Sequence, residues 1–68
     1  MGMRLTINGE PHEHQGNGTL TSLLGELHAD SDRVATMVND EIIAREQRVA
    51  LKLKEGDRIE VLMFAGGG

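Results

Sequence analysis

A stripe of leucines sets the first limit on how this chain can fold. The i, i+3, i+4, i+7 spacing of one helix face occurs at Leu20, Leu23, Leu24 and Leu27. The segment Gly16-Asn17-Gly18 breaks the chain before this stripe, and Thr19 is a suitable N-cap, so we predict a helix from about Leu20 to His28. A helix with one apolar face must pack that face on another layer, which we expect to be a sheet.

Alternation of apolar and polar residues predicts a hairpin before the helix. The segment from Met3 to Ile7 has the period of a half-buried strand, and Asn8-Gly9 supplies the two positive-φ positions of a tight turn. The second arm, about Pro11 to Gln15, is polar and contains a proline. These features predict an exposed edge strand.

Shorter elements are predicted directly after the helix. Residues 29–32 form a polar loop, and residues 33–39, which are rich in Val and Met, predict a more central strand. A turn at residues 39–41 leads to a short strand at Ile42-Ile43. Residues 44–48 have the pattern of a single helical turn or loop.

The last part of the chain alternates twice. Residues 49–53 alternate as a strand does, and a turn at Glu55-Gly56-Asp57 follows. The last strand is predicted from Arg58 to about Phe64. One of its faces is formed by Ile59, Val61 and Met63, and the other by Glu60, Leu62 and Phe64.

The order of these elements predicts an α+β domain with one main helix across one face of a mixed sheet of four to five strands. This order resembles the β-grasp fold of ubiquitin, in which the first and last strands lie side by side at the sheet centre. We expect this domain to cover residues 1–64, followed by a flexible Gly-rich tail at residues 65–68.

The composition excludes several classes of function. The chain has 68 residues, no cysteine and a formal net charge of −4. A chain this short hides only about 60% of the surface of its unfolded form, so the core must be small. The lack of cysteine excludes disulfides and a cysteine nucleophile, and the negative charge argues against nucleic-acid binding. No apolar run approaches a membrane span of about 20 residues, and no signal peptide is evident, so we expect a soluble cytoplasmic protein.

The tail is the strongest candidate for chemistry. Gly66, Gly67 and Gly68 have maximal backbone freedom and no side chains. Such a segment can be a frayed terminus or a cloning remnant. It can also be a reactive terminus, because a carboxylate reacts with nucleophiles only after activation, and glycines pass through a narrow active-site channel that Cβ atoms would obstruct. The residues by themselves leave both interpretations open.

Two pairs of residues are candidates for contact with a partner. Phe64, the only aromatic residue, and Leu62 share one strand face, where they either pack within the domain or, if exposed, form a docking patch. Arg45 and Glu46 form either a surface ion pair or a docking contact.

The histidines are weaker candidates. His12 and His14 lie on the same side of a strand and would supply two metal ligands, but no third ligand is evident. We therefore expect solvated edge-strand histidines and no metal site. His28, at the predicted end of the helix, is expected to cap carbonyls or interact with the helix dipole. No acid/base pair, activated nucleophile or phosphate loop can be assembled, so we expect no catalysis by the chain itself.

Several short segments, in their order and spacing, resemble the ThiS family of ubiquitin-like sulfur carriers, which is related to the small subunit of molybdopterin synthase. These segments are Asn8-Gly9-Glu10, Thr19-Leu20, Ser22-Leu23-Leu24, residues 38–43, Arg45-Glu46, residues 56–60, and Phe64 to Gly68. Ala44 stands where the family often has a proline. The resemblance covers nearly the whole chain.

The resemblance implies a carrier protein and not an enzyme. An adenylating enzyme of the ThiF or MoeB type, which itself binds ATP and magnesium, would activate the carboxylate of Gly68. Sulfur from a persulfide on a sulfur donor protein would convert it to a thiocarboxylate, and a ThiG-type thiazole synthase would receive the sulfur for the thiazole of thiamine. The resemblance places Gly66, Gly67 and Gly68 in the partner's active site. It implies no cofactor, metal or catalytic residue in this chain.

Three other functions remain compatible with these residues. The chain can be a sulfur carrier for molybdopterin or another pathway, or a ubiquitin-like modifier joined to lysines through the same activated terminus. It can also be a bare β-grasp interaction module with an inert tail. Blocking the terminus would abolish function in every case except the last.

Overall fold

The computed structural model describes residues 2–30 and 33–64. In chain order the elements are β1 (Met3–Ile7), β2 (Glu10–His14), α1 (Leu20–Glu26), β3 (Val34–Val38), β4 (Glu41–Ile43), a 3₁₀ helix (Arg45–Gln47) and β5 (Arg58–Met63). No helix in these two ranges is long and apolar enough to cross a membrane.

The strands form one mixed sheet in the order β2-β1-β5-β3-β4. β1 and β5, the first and last strands, are parallel neighbours at its centre, whereas the other pairs are antiparallel. α1 packs on one face of the sheet. The α+β β-grasp fold predicted from the sequence is therefore confirmed, with β2 as an edge strand and β3 as an interior one.

The leucine stripe of α1 forms the centre of the core. Leu20, Leu23 and Leu24 are fully buried, and Leu27 is partly buried against them. The remaining buried apolar residues come from the sheet and from loops beneath it: Leu5, Ala29, Val34, Val38, Leu53 and Ile59. The buried apolar residues that the structure describes are thus all aliphatic.

α1 begins where the sequence predicts and ends earlier. The Thr19 side chain accepts a hydrogen bond from the Ser22 N–H, as expected of an N-cap. The helix ends at Glu26 and not at His28, because His28 adopts a positive φ of 56°. The His28 and Ala29 N–H groups then donate to the carbonyls of Gly25 and Leu24, which closes the helix in a Schellman motif.

The alternating segment at residues 49–53 is not a strand. Its only ladder contact among the described residues is an isolated bridge between Lys52 and Thr19. Leu51 O accepts from the Leu20 N–H at the start of α1, and the Leu53 N–H donates to Gly18 O just before the helix. The alternation directs Leu51 and Leu53 toward the core. The segment is a loop that is hydrogen-bonded to the start of the helix.

Candidate functional site

β5 carries the chain from the sheet centre to the tail. Val34 pairs with Met63, and the Phe64 N–H donates to Arg33 O at 2.7 Å, so β3 holds β5 up to its last residue. The tail residues Ala65, Gly66, Gly67 and Gly68 lie outside the described residues. Phe64 is therefore the last described residue before the tail.

The sheet face opposite α1 presents apolar side chains next to this point. Residues directly opposite each other in an antiparallel pair share a face, and Ala35 is opposite Leu62 while Met37 is opposite Ile42. Phe64, two residues after Leu62, continues the row. We call these residues the outer apolar patch: Ala35, Met37, Ile42, Leu62 and Phe64.

The outer apolar patch is open to solvent. Leu62, Phe64 and Ile42 are 53%, 58% and 76% exposed. Leu62 and Phe64 are therefore not packed inside the domain, which was one of the two roles considered for them. Single exposed apolar residues are common, but a contiguous exposed group is typical of an interaction surface.

Glu46 and Arg45 lie on the 3₁₀ helix near the patch. Glu46 and Ile42 line the same groove, of about 450 Å³, along the outer edge of the sheet. Arg45 is exposed on the same turn. The structure therefore brings Glu46 to the side of the outer apolar patch through Ile42.

The residues of the outer apolar patch outside β5 were not identified from the sequence. The signal was present, since β3 has apolar residues on both of its faces, with Val34 and Val38 buried and Ala35 and Met37 on the other side. A strand that is apolar on both faces either lies between two layers or has an exposed apolar face. Only the positions of its neighbours distinguish the two cases.

The expectation of solvated histidines on β2 is wrong. His14 is 2% exposed, and His12 is partly buried beneath α1. Both rings reach Glu26 Oε1, His14 through Nδ1 at 3.0 Å and His12 through Nε2 at 3.1 Å. The two histidines face the helix because they pair with Leu5 and Met3, whose side chains point into the core.

The Glu26 carboxylate organises this cluster. Both ring nitrogens of His14 have polar neighbours: Nε2 accepts from the Gly18 N–H at 3.1 Å, and Nδ1 lies 3.0 Å from Glu26 Oε1 and 3.4 Å from the Gly16 nitrogen. Partial burial raises the pKa of the Glu26 carboxyl, but hydrogen bonds from the two histidines and the Gln15 N–H outweigh it and lower the pKa to about 2. Among the described residues, no group of three or more His, Cys, Asp or Glu side chains is arranged to hold a metal ion.

A β-grasp domain with exposed apolar residues at the end of its last strand and a Gly-rich sequence after that strand is typical of the class of ubiquitin-like proteins. The ThiS family profile matches residues 5–68 of this chain. The chain belongs to the ThiS family of ubiquitin-like sulfur carriers.

Solved structures agree with this assignment. The crystal structure of the thiamine biosynthesis protein ThiS from Geobacter metallireducens is 39% identical, with a TM-score of 0.79, and the match covers 97% of this chain and 100% of that one. The solution NMR structure of a thiamine biosynthesis protein from the same organism is 37% identical, with a TM-score of 0.76, over 97% of this chain and 88% of that one.

Two curated relatives are much longer proteins. The thiazole synthases of Paramagnetospirillum magneticum and Magnetococcus marinus are each 39% identical to this chain over 66 residues. The match covers 97% of this chain but 20% of each relative. This chain thus spans about one-fifth of the length of the thiazole synthases it matches.

Proposed function

We propose that this protein carries sulfur as a thiocarboxylate on Gly68 for the synthesis of the thiazole of thiamine. The observation that carries the proposal is the family match, which extends to residue 68 and so includes the Gly-rich tail. In this proposal the partner enzymes bind the folded body of residues 1–64, and the tail of residues 65–68 is the reactive part.

The chemistry proceeds on a partner enzyme. A Gly68 carboxylate oxygen attacks the α-phosphate of ATP, pyrophosphate leaves, and an acyl-adenylate forms. Attack by a persulfide sulfur on the carbonyl carbon expels AMP, and cleavage of the sulfur–sulfur bond by a second thiol leaves the thiocarboxylate. ATP and magnesium are bound by the adenylating enzyme, while this chain contributes its carbonyl carbon and no catalytic group.

The outer apolar patch supplies the docking surface for that enzyme. Leu62 and Phe64 are exposed and directly precede the tail, so a partner that covers them also receives residues 65–68. Aromatic and large aliphatic residues that become buried at an interface contribute most of its binding energy. Arg45 and Glu46 form the polar rim, since Glu46 shares a groove with Ile42 of the patch.

The thiazole pathway is the best-supported destination of the sulfur. Two thiazole synthases contain a segment 39% identical to this chain, and a solved relative is a thiamine biosynthesis protein. We therefore propose a ThiG-type thiazole synthase as the acceptor of the sulfur.

Intact-mass spectrometry tests the proposal directly. The protein is incubated with a ThiF-type or MoeB-type adenylating enzyme, ATP, magnesium and a persulfide donor, and parallel reactions omit ATP or the donor. We expect the mass gain of one oxygen replaced by sulfur, located in the C-terminal peptide, only in the complete reaction. The proposal fails if no such species forms, or if the protein appears only in isopeptide linkage to lysines. Failure of a thiazole synthase to consume the thiocarboxylate would reject the thiamine destination alone.

A further inference from the structure

Arg48 is a buried charged residue outside the surfaces described so far. It is 3% exposed, although it directly follows the exposed 3₁₀ helix. A guanidinium is costly to bury unless its donors are paired, and removal of a partner from a buried charge is strongly destabilising. The contacts of Arg48 therefore indicate which part of the fold it stabilises.

One of these contacts is a main-chain carbonyl at the start of β3. Arg48 Nη2 donates to Val34 O at 2.8 Å, and Nη1 lies 3.5 Å from Asp30 Oδ1. β4 pairs with β3 only at residues 36–38, so the start of β3 extends beyond the end of β4. Arg48 thus supplies to Val34 O the donor that a longer neighbouring strand would supply.

The same end of β3 holds the end of β5 on its other side. Arg33 O accepts from the Phe64 N–H, whereas the next carbonyl along β3, that of Val34, accepts from Arg48. This alternation is expected, because successive residues of a strand direct their main-chain groups to opposite edges. The first residues of β3 therefore lie between Arg48 and the last described residue before the tail.

We infer that Arg48 is a positioning residue that holds Phe64, through the start of β3, at the point from which the reactive tail is presented to the adenylating enzyme. This inference rests on the proposed function, because the place of Phe64 matters to the reaction only if Gly68 is the reacting residue. A displacement of about 1 Å can reduce the rate of a geometry-controlled reaction about 100-fold. A side chain 16 residues away from Phe64 in sequence thus controls the chemistry without contact with any reactant.

Two substitutions at Arg48 and one matched control separate positioning from general destabilisation. Arg48→Met keeps an apolar stem and removes the polar contacts with Val34 O and Asp30 Oδ1. Arg48→Lys keeps the charge but not the planar fork that reaches these two oxygens. Asp57→Asn is the control, since Asp57 is also buried and charged and accepts from Asn39 Nδ2 and the Lys54 N–H. It lies just before β5, at the other end of that strand from Phe64.

Amide hydrogen exchange tests the inference on the protein alone. We expect the Phe64 amide to exchange about tenfold faster in both Arg48 variants, relative to the Asn8 amide, which donates to Ile59 O near the start of β5. Asp57→Asn should not change this ratio. An unchanged ratio in Arg48→Met would overturn the inference. Arg48→Lys decides the matter if Arg48→Met does not fold.

Steady-state kinetics of pyrophosphate release by a ThiF-type enzyme test the consequence for the reaction. Because the outer apolar patch remains intact, we expect kcat to fall about tenfold in the Arg48 variants with KM changed less than about twofold. Asp57→Asn should leave both constants within about twofold of wild type. Equal kinetic losses in the Arg48 variants and in Asp57→Asn would reject positioning. If wild-type protein is not adenylated at all, the proposed function and the reaction role fail together, whereas the exchange ratio still decides whether Arg48 holds the end of the sheet.

Discussion

At the scale of single residues, the Glu26 carboxylate connects the edge strand to the helix. Its Oε1 lies near both histidines of β2, and its Oε2 accepts from the Gln15 N–H at 2.6 Å. Edge strands are a risk for misassociation, and they are usually protected by charges that face solvent. Here the Glu26 carboxylate of α1 holds the edge strand β2 through contacts on the face that packs against the helix.

The lowered pKa of Glu26 predicts how stability depends on pH. A carboxyl whose pKa falls from 4.5 to about 2 on folding stabilises the protein fully above pH 4.5 and loses that contribution as the pH falls through about 2. Glu26→Gln should therefore be less stable than wild type near neutral pH, and the difference should shrink steadily below pH 4.5. Urea denaturation at a series of pH values measures it, and a difference independent of pH would contradict the assignment.

Leu24 tests the register of the helix. Because Leu24 is completely buried in the core, Leu24→Ala should lower the free energy of unfolding by about 2–5 kcal/mol, enough to unfold much of a domain this small. Leu62→Ala is the matched control, since the same truncation at an exposed position should change stability by less than about 0.5 kcal/mol. Equal denaturation midpoints for Leu24→Ala and wild type would show that the stripe does not form the core.

At the scale of elements, β5 combines two tasks through strand alternation. Ile59 is in the core and Val61 is half-buried beside it, whereas Leu62 lies on the opposite face in the outer apolar patch. The parallel pairing with β1 places this strand at the sheet centre. The side chain of Asn8 adds to the contact between the end of β1 and β5, since Asn8 Oδ1 accepts from the Val61 N–H at 2.8 Å.

A charge placed in the outer apolar patch should weaken docking without unfolding the domain. Leu62→Asp is expected to raise KM for adenylation about tenfold or more, because a desolvated carboxylate would replace a central apolar contact. Val49→Asp introduces the same charge at another exposed apolar residue, one that is not a member of the patch, and should have little effect. Adenylation kinetics of both variants measure the contrast, and equal effects would mean that net charge and not the patch controls binding.

At the scale of the whole molecule, the folded body and the tail should be separable. Deletion of Gly67 and Gly68, or the substitution Gly67→Val, should abolish sulfur transfer, because the carbonyl carbon must reach the α-phosphate through a narrow channel. The thermal midpoint should hardly change, since these residues have no apolar side chains to bury. Intact-mass spectrometry and thermal unfolding give the two results. Sulfur acquired at the wild-type rate by the shortened protein would show that the tail is not the site.

Much of this molecule follows from its sequence alone, because the forces involved act over a few residues. The leucine stripe, the Thr19 cap and the Asn8-Gly9 turn are local features, and the structure has all three where the sequence predicts them. The order of elements was sufficient for the β-grasp fold. The Gly-rich segment is likewise evident from the sequence, and the chemistry proposed for it depends on the lack of side chains and on no neighbour in the fold.

Only the tertiary structure decided which surfaces these elements present. His14 was predicted from the sequence to be solvated, and the burial of Arg48 was not predicted at all. Distant partners at Glu26 and Val34 allow both to be buried. Residues 49–53 alternate like a strand but remain a loop, because the start of α1 takes their hydrogen bonds. The outer apolar patch exists because strands far apart in sequence pair in one register. Contacts of this kind depend on the whole arrangement of the chain, so no local pattern determines them.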